Sequence, residues 1–189
     1  MGLPLDGYGL LPVTAAPPSL LNRFDCGKPH LNDFLTGKSP FFHRARLGLT
    51  SVVMHSQVHN EVLGYFTLNS DAIKLMASEE LDLGLEDKPG LNHFPAIKIG
   101  RLAVTKNHQG NGIGTDILDL AMDQMLLDSA ASAARIAVVD ADNEDAVVRF
   151  YQRNGFVISQ WAEKQATNQG SKTQRRTTVT MLRDILGPV

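Results

Sequence analysis

The central stretch of the chain reads Leu102-Ala-Val-Thr-Lys-Asn-His-Gln109-Gly-Asn-Gly112-Ile-Gly114-Thr115. It begins as the apolar end of a strand, passes through a short polar connection, and turns through glycines into an amphipathic helix. Glycine lets the main chain turn tightly and lie bare, so several backbone N–H groups can point at one bound group. Such donors at the positive end of a helix dipole suit a phosphate or pyrophosphate. Many ordinary helices also begin with a glycine-rich turn, so other segments must decide the function.

The loop departs from two common nucleotide-binding patterns. A Walker loop ends in Gly-Lys-Ser/Thr, whereas this loop has Gly112-Ile-Gly114 and no lysine. A dinucleotide fingerprint has the pattern G-x-G-x-x-G, and Thr115 stands where its third glycine belongs. The stretch from Gln109 to Gly114 instead fits the pattern Q/R-x-x-G-x-G/A. This pattern resembles the pyrophosphate loop of the acyl-CoA N-acyltransferases of the GNAT superfamily.

The residues after the loop extend this resemblance. Helical spacing of apolar residues predicts a helix over 115–128, and Ile136-Ala-Val-Val139 predicts a strand buried on both faces. Asp142-Asn143 offers N-cap chemistry for a second helix through residue 153, which Asn154-Gly155 ends. The second signature of the GNAT fold is similar to the pattern Asn143…Ala146…Phe150-Tyr151…Gly155-Phe156.

Turn residues and periodicity predict the remaining elements. In chain order these are a strand at 10–13, helices at 19–22 and 29–35, an end or kink at Pro40, a hairpin of 51–54 with 61–68, an acidic surface loop or short helix over 76–95, a central strand at 97–104, and a strand at 177–181 that pairs with 156–161 across a polar turn at 162–174. Together with the resemblance, they imply an α/β GNAT (acyl-CoA N-acyltransferase) fold. Such a fold has a mixed, mostly antiparallel sheet flanked by helices, in one domain over residues 1–189.

Composition narrows the class of protein. A chain of 189 residues with 43% hydrophobic and 20% charged residues is typical of one globular domain. No apolar stretch approaches the ~20 residues of a membrane span, and the first residues lack the pattern of a secretory signal. Cys26 is the single cysteine, and the histidines lack metal-ligand spacing, so we expect a cytoplasmic protein without a membrane or metal site.

A second motif lies near the N-terminus, in Phe24-Asp-Cys-Gly-Lys-Pro-His-Leu-Asn-Asp-Phe-Leu35. It resembles the F-D-C-G-x-x-x-L-N-x-W/F-L signature of GNAT toxins from bacterial toxin–antitoxin pairs. Those enzymes acetylate the α-amine of aminoacyl-tRNA, so the resemblance implies charged tRNA, a ribbon-helix-helix antitoxin and a homodimer as partners. The alternative is structural: a turn capped by Asp25, followed by a helix that packs Leu31 and Phe34 into the core.

The resemblance also implies acetyl-CoA as co-substrate and a set of residues that bind it. These are Leu102, Ala103, Val104, Gln109, Gly110, Asn111, Gly112, Ile113, Gly114, Thr115, Asn143 and Phe150. A main-chain N–H near Leu102 or Val104 is the candidate group that polarises the thioester carbonyl. Asn143 has two open interpretations, since it either binds the pantetheine arm or only caps its helix.

Tyr151 is the candidate general acid. A phenol titrates near pH 10, so it stays protonated at pH 7 and can donate to a departing thiolate with a pKa of about 8.5. The tyrosine of the F-Y motif has this role in the toxins that the chain resembles. The alternative is an amphipathic aromatic that packs on its helix. The sequence contains no evident general base.

The charge balance argues against a nucleic-acid substrate, because 18 Lys and Arg face 20 Asp and Glu, for a formal net charge of −2. Two clusters of basic residues weigh against this argument. Each is either a solvated face or a nucleic-acid surface. They comprise Lys38, His43, Arg44 and Arg46, and then Arg149, Arg153, Lys172, Arg175 and Arg176. Two alternatives therefore stand beside the toxin hypothesis. One is an acetyltransferase for a small-molecule or protein amine, and the other is an acyl-CoA-binding module without turnover.

Overall fold

The computed structural model describes residues 3–87, 90–127, 133–168 and 176–187. Within them, seven strands form a mixed sheet in the order β1-β2-β3-β4-β5-β7-β6, so the predicted α/β fold is confirmed. The strands are β1 (Tyr8–Pro12), β2 (Leu49–His55), β3 (Gly64–Ile73), β4 (Phe94–Val104), β5 (Ile136–Asp142), β6 (Val157–Ile158) and β7 (Thr178–Asp184). The α-helices are α1 (Pro18–Leu21), α2 (Pro29–Asp33), α3 (Ser39–Arg44), α4 (Ala77–Asp82), α5 (Ile113–Leu127), α6 (Asp145–Arg153) and α7 (Gln160–Asn168).

The chain divides into two compact units, of which the first comprises Met1–Asn69 and Ile99–Gln124. In this unit β1 pairs antiparallel with β2, and β2 with β3, so the predicted hairpin is confirmed. Its core joins side chains from the N-terminal helices to the strands, among them Phe24, Phe34, Tyr65 and Ala103. The core thus fixes the end of β4 that leads into the glycine loop.

The second unit comprises Ser70–Lys98 and Met125–Val189. Here β5 pairs antiparallel with β7, and β7 with β6, which confirms the predicted pairing of the C-terminal strand. The core of this unit includes Phe94, Ile136, Val138 and Leu182. The single domain over residues 1–189 stays a prediction.

The chain stays helical through Pro40, so the residue does not end the segment, and the alternative, a kink, stays a prediction. A π-helical turn at Phe34–Lys38 follows α2 directly, and α3 begins beyond it with Pro40 in its first turn. Proline is tolerated there because the first N–H groups of a helix have no intrahelical acceptor. The Ser39 hydroxyl donates to the Leu35 carbonyl at 2.6 Å and closes the wide turn.

The acidic segment 76–95 contains the short helix that the sequence allows, and most of its described residues are exposed, but it is also anchored in the core. It forms the short helix α4, but Glu79 is only 4% exposed, and Leu83 and Phe94 are also buried. The Glu79 carboxylate accepts from the Met76 N–H at 2.7 Å and from the Gln160 N–H at 2.7 Å. One buried acid therefore caps the starts of both α4 and α7. The acidic composition of the segment predicts exposure, because charged residues are rarely buried unless they are paired. The capping role of Glu79 was therefore not predicted.

The predicted polar turn at 162–174 is also wrong for its described part. Residues 160–168 form α7, and residues 169–174 lie outside the described residues. The helix starts because Glu79 receives the Gln160 N–H and the Ser159 hydroxyl receives the Ala162 N–H at 3.3 Å. A distant carboxylate leaves no local signal in the sequence of the helix that it caps.

We expect Glu79→Ala to lower the free energy of unfolding by about 2–3 kcal/mol, because it removes charge-assisted hydrogen bonds between a buried carboxylate and two helix starts. Chemical denaturation of the variant measures the loss. Asp82→Ala is the matched control, since Asp82 is an exposed acid at the other end of α4. Equal stability of the two variants would contradict the capping role of Glu79.

Candidate active site

The glycine loop presents an array of unused backbone donors. Gly110 and Gly112 have φ values of 78° and 86°, in the left-handed region that other residues rarely adopt. The chain then enters α5, where the Thr115 N–H bonds back to the Gly112 carbonyl at 2.8 Å. Among the described residues, the backbone N–H groups of residues 110–114 donate to no acceptor. Free donors at the positive end of α5 are the arrangement that binds a pyrophosphate.

The Gln109 side chain supports this loop from within the protein. Its Nε2 donates to the Cys26 carbonyl at 3.0 Å and to the Val104 carbonyl at 2.8 Å. Both amide hydrogens are therefore used in the chain, and Asn111 bonds back to the Gln109 carbonyl at 3.4 Å. The arrangement favours a role for Gln109 in shaping the loop, while direct binding of the cofactor stays a prediction.

The N-terminal motif, residues 24–35, also holds the residues between β4 and the glycine loop. The Asp25 carboxylate accepts from the Gly27 N–H at 2.8 Å, from Asn32 Nδ2 at 2.9 Å and from Lys106 Nζ at 2.7 Å. The Lys106 hydrogen bond and the two neutral donors lower the pKa of Asp25 to about 2, so the carboxylate is charged at neutral pH. The Lys106 N–H also donates to the Asp25 carbonyl at 2.9 Å. The turn at 25–27 thus anchors the residues that lead into the glycine loop.

Sequence reasoning missed this anchoring function. The pattern Asp25-x-Gly27 is typical of an Asx turn, in which an aspartate accepts from the backbone two residues ahead. The sequence predicted that local half, a turn capped by Asp25, and the hydrogen bond from the Gly27 N–H confirms it. The partnership with Lys106 is a contact across 81 positions, which no local pattern reveals.

The predicted thioester strand is the end of β4. Ala103 is buried in the core of the first unit, whereas Leu102 and Val104 are half-buried. The Val104 carbonyl is used by Gln109, and the next N–H, that of Thr105, donates to the Leu63 carbonyl at 2.8 Å. The strand end is therefore fixed from both sides, as a platform that positions a substrate requires. Contacts of residues 102–104 with a pantetheine arm stay a prediction.

Tyr151 lies on α6 in the second unit and is 6% exposed. Its ring packs edge-on against Phe150 and Phe156, at centroid distances of 5.0 and 5.4 Å. Its hydroxyl makes no hydrogen bond with the described residues, although no fully buried side-chain oxygen or nitrogen among them lacks a partner. The oxygen is therefore not fully enclosed, although the ring is buried. Burial raises the pKa of the phenol above its usual range, and the Asp142 carboxylate adds to this shift.

These contacts match the packing interpretation of Tyr151. The ring is a packed aromatic, and its hydroxyl donates to none of the described residues. Phe150 is half-buried and holds the ring from one side. The general-acid role stays a prediction.

Asn143 does not cap α6, so that interpretation is wrong. The helix begins at Asp145 with Glu144 as the N-cap residue and no side-chain cap. Instead, Asn143 Nδ2 donates to the Arg176 carbonyl at 2.9 Å and its N–H donates to the Thr177 carbonyl at 2.8 Å. The preceding strand runs three residues further than the sequence predicted, to Asp142, which carries Asn143 away from the cap position. Its binding of pantetheine stays a prediction.

The mixed sheet flanked by helices is the fold that the sequence predicted for an acyl-CoA N-acyltransferase. Residues 57–158, more than half of the chain, match the family described as acetyltransferase (GNAT) domain. The chain belongs to the GNAT acetyltransferase family. The prediction of an acetyl-CoA-dependent N-acetyltransferase is thereby confirmed.

Solved structures of similar fold come from toxin–antitoxin systems. AtaT complexed with acetyl-methionyl-tRNAfMet is 22% identical over 94% of each chain, with a TM-score of 0.71. A KacT variant with a tyrosine replaced by phenylalanine is 19% identical over 95% of each chain, with a TM-score of 0.71. AtaTR bound with acetyl-CoA is 22% identical over 95% of each chain, with a TM-score of 0.67. At this identity the likeness concerns the fold.

Two further findings concern the described residues alone. Each helix there falls short of the length or apolarity that a membrane span requires. No group of three or more His, Cys, Asp or Glu side chains there is arranged to hold a metal ion.

Proposed function

We propose that this enzyme transfers the acetyl group of acetyl-CoA to the α-amine of aminoacyl-tRNA and thereby blocks translation. The resemblance of residues 24–35 to the toxin signature supports this acceptor. So does the similarity in fold to AtaT in its complex with acetyl-methionyl-tRNAfMet. The proposal includes action in the cytoplasm as a homodimer, held in check by a ribbon-helix-helix antitoxin.

The free N–H groups of residues 110–114 are the observation that carries the cofactor part of the proposal. They would hold the pyrophosphate, and residues 102–104 would lie along the pantetheine arm. In the reaction, the neutral amine attacks the thioester carbonyl, an N–C bond forms and the C–S bond breaks. The Tyr151 hydroxyl gives its proton to the leaving sulfur, and the proton lost from the amine restores the phenol. An α-amine with a pKa near 8 needs little help to become neutral at physiological pH.

The distribution of charge supports a nucleic-acid acceptor better than the net charge does. No Asp or Glu stands between Asp33 and Glu61, while Lys38, Arg44 and Arg46 are exposed. None of these three forms an ion pair with the described residues. The second cluster is more compensated, since Arg149 lies 3.9 Å from Asp145 and Arg176 lies 2.5 Å from Glu163. Lys172 and Arg175 lie outside the described residues.

Labelled acetyl-CoA incubated with charged tRNA tests the acceptor. We expect label on the α-amine, released as the N-acetyl amino acid on alkaline deacylation, and none on uncharged tRNA. The rate should fall with salt by about 0.7–0.9 logarithmic units per logarithmic unit of salt for each phosphate contact. Charge reversal at Arg44, Arg46, Arg149 and Arg153 should lower the rate and reduce this slope.

The alternatives give different results in the same assay. An acetyltransferase for a small-molecule or protein amine would label free amines or lysines, with little response to salt. A binding module without turnover would label nothing and still bind acetyl-CoA. Either result would overturn the tRNA proposal.

A further inference from the structure

Arg101 is a cation with no role in the reaction proposed above. It lies on β4, one residue before Leu102 in the predicted thioester strand. Its guanidinium carbon stands 3.6 Å from the centroid of the Phe34 ring, and the residue is half-buried. A guanidinium that stacks on an aromatic face keeps its N–H donors in the plane, where they remain free to bind.

The ring under Arg101 is held firmly. Phe34 is 2% exposed, with Phe42 packed edge-on at 5.7 Å and Tyr65 nearly parallel at 6.4 Å. Tyr65 is itself fixed, because its hydroxyl donates to the Leu31 carbonyl at 2.9 Å. The guanidinium therefore has a defined position, so less conformational entropy is lost when it binds a ligand.

Arg101 has no counter-charge among the described residues. Other cations in the structure do: Lys106 pairs with Asp25 at 2.7 Å, and Arg135 pairs with Asp184 at 2.6 Å. The Arg101 guanidinium forms neither an ion pair nor a hydrogen bond with any described residue. A partly desolvated charge without a partner is costly, and such a cost is retained where the partner is a ligand.

The segment that carries Phe34 makes the surroundings positive. The acid-free stretch after Asp33 supplies Phe34, Lys38, Phe42 and Arg44 in sequence. Phe42, whose ring contacts Phe34, belongs to the same helix as Arg44. Because nothing in this stretch offsets its charge, the stretch suits a polyanion better than a single carboxylate.

We infer that Arg101 binds a phosphate of the acceptor nucleic acid and so positions the aminoacyl end beside the thioester strand. This inference rests on the proposed tRNA acceptor. Acetyl-CoA also carries phosphates, and the test separates the two sources. Arg101 is a positioning residue in this role, since the guanidinium holds the acceptor and takes no part in proton transfer.

The test compares Arg101→Gln with Arg23→Gln, a control that removes an exposed cation from the same unit. For Arg101→Gln we expect kcat/KM with charged tRNA to fall by about 10- to 100-fold, the effect of a lost charge-assisted hydrogen bond. We also expect the salt slope to shrink by about 0.7–0.9. The Kd for acetyl-CoA should not change. The rate with a free amino-acid amide, which carries no tRNA and no phosphate, should not change either. Arg23→Gln should behave as the wild type.

A second variant keeps the test decisive if Arg101→Gln unfolds. Arg101→Lys keeps the charge and the aliphatic stem but loses the planar fork, so it should lose activity on charged tRNA while keeping the full salt slope. A raised Kd for acetyl-CoA would assign Arg101 to the cofactor and overturn the inference. Equal losses in Arg101→Gln and Arg23→Gln would also overturn it. Wild-type protein that leaves charged tRNA unlabelled would instead defeat the proposed function, and with it the inference.

Discussion

Replacing Tyr151 with phenylalanine is expected to lower acetyl transfer by about 10²- to 10⁴-fold, the range for loss of general-acid catalysis. The substitution removes one hydroxyl that bonds to no described residue and leaves the ring between Phe150 and Phe156. The fold and the Kd for acetyl-CoA should therefore survive. Steady-state kinetics together with calorimetric titration of acetyl-CoA separates the two effects.

Tyr8→Phe is the matched control for this experiment. The Tyr8 hydroxyl donates to Asp116 at 2.6 Å, so the variant loses a hydrogen bond and some stability without a loss of turnover. The pH profile gives a second check. Because the pKa of Tyr151 is raised, the acid stays protonated across neutral pH, and the rate should rise as the α-amine deprotonates near pH 8. An unchanged rate in Tyr151→Phe would make the residue a core aromatic.

Gly112→Asp is expected to abolish binding of acetyl-CoA. The new carboxylate would lie among the free N–H groups of residues 110–114 and repel a pyrophosphate from the site that those groups form. Wild-type protein should gain about 2.7 kcal/mol of stability when acetyl-CoA is present at 100 times its Kd, and the variant should gain none. Thermal unfolding with and without acetyl-CoA measures the difference.

Gly112→Asn isolates the effect of charge. Gly112 has a φ of 86°, so any side chain is strained there, and asparagine and aspartate tolerate this region similarly. The space around the position is open, with no heavy atom within 4 Å of an added Cβ. The asparagine variant should keep measurable affinity. Equal affinity of Gly112→Asp and the wild type would remove the loop from the cofactor site.

Local patterns predicted the elements that carry their own signals. The glycine loop, the apolar strand at 136–139 and the stop at Asn154-Gly155 all lie where the sequence placed them, and Gly155 has the expected left-handed φ of 79°. Each depends on residues adjacent in the chain. Backbone conformation and short-range periodicity are the properties that a sequence displays directly.

Contacts between distant residues explain what the sequence did not predict. In the sequence, Glu79 is one member of an acidic run. In the structure, its carboxylate accepts from the Gln160 N–H. In the sequence, Asn143 is a candidate cap residue. In the structure, its side-chain amide donates to the Arg176 carbonyl. Arg101 is one residue of a predicted strand, and only the ring of Phe34 beneath its guanidinium distinguishes it.

The double cap at Glu79 also constrains the order in which the second unit folds. A nine-residue segment such as α7 is too short to hold a helix in water by itself, because nucleation is unfavourable and few bonds repay it. Its first turn depends on a carboxylate 81 positions earlier in the chain. We therefore expect α7 to form late in folding, after closure of that long loop, which is a slow, non-local step.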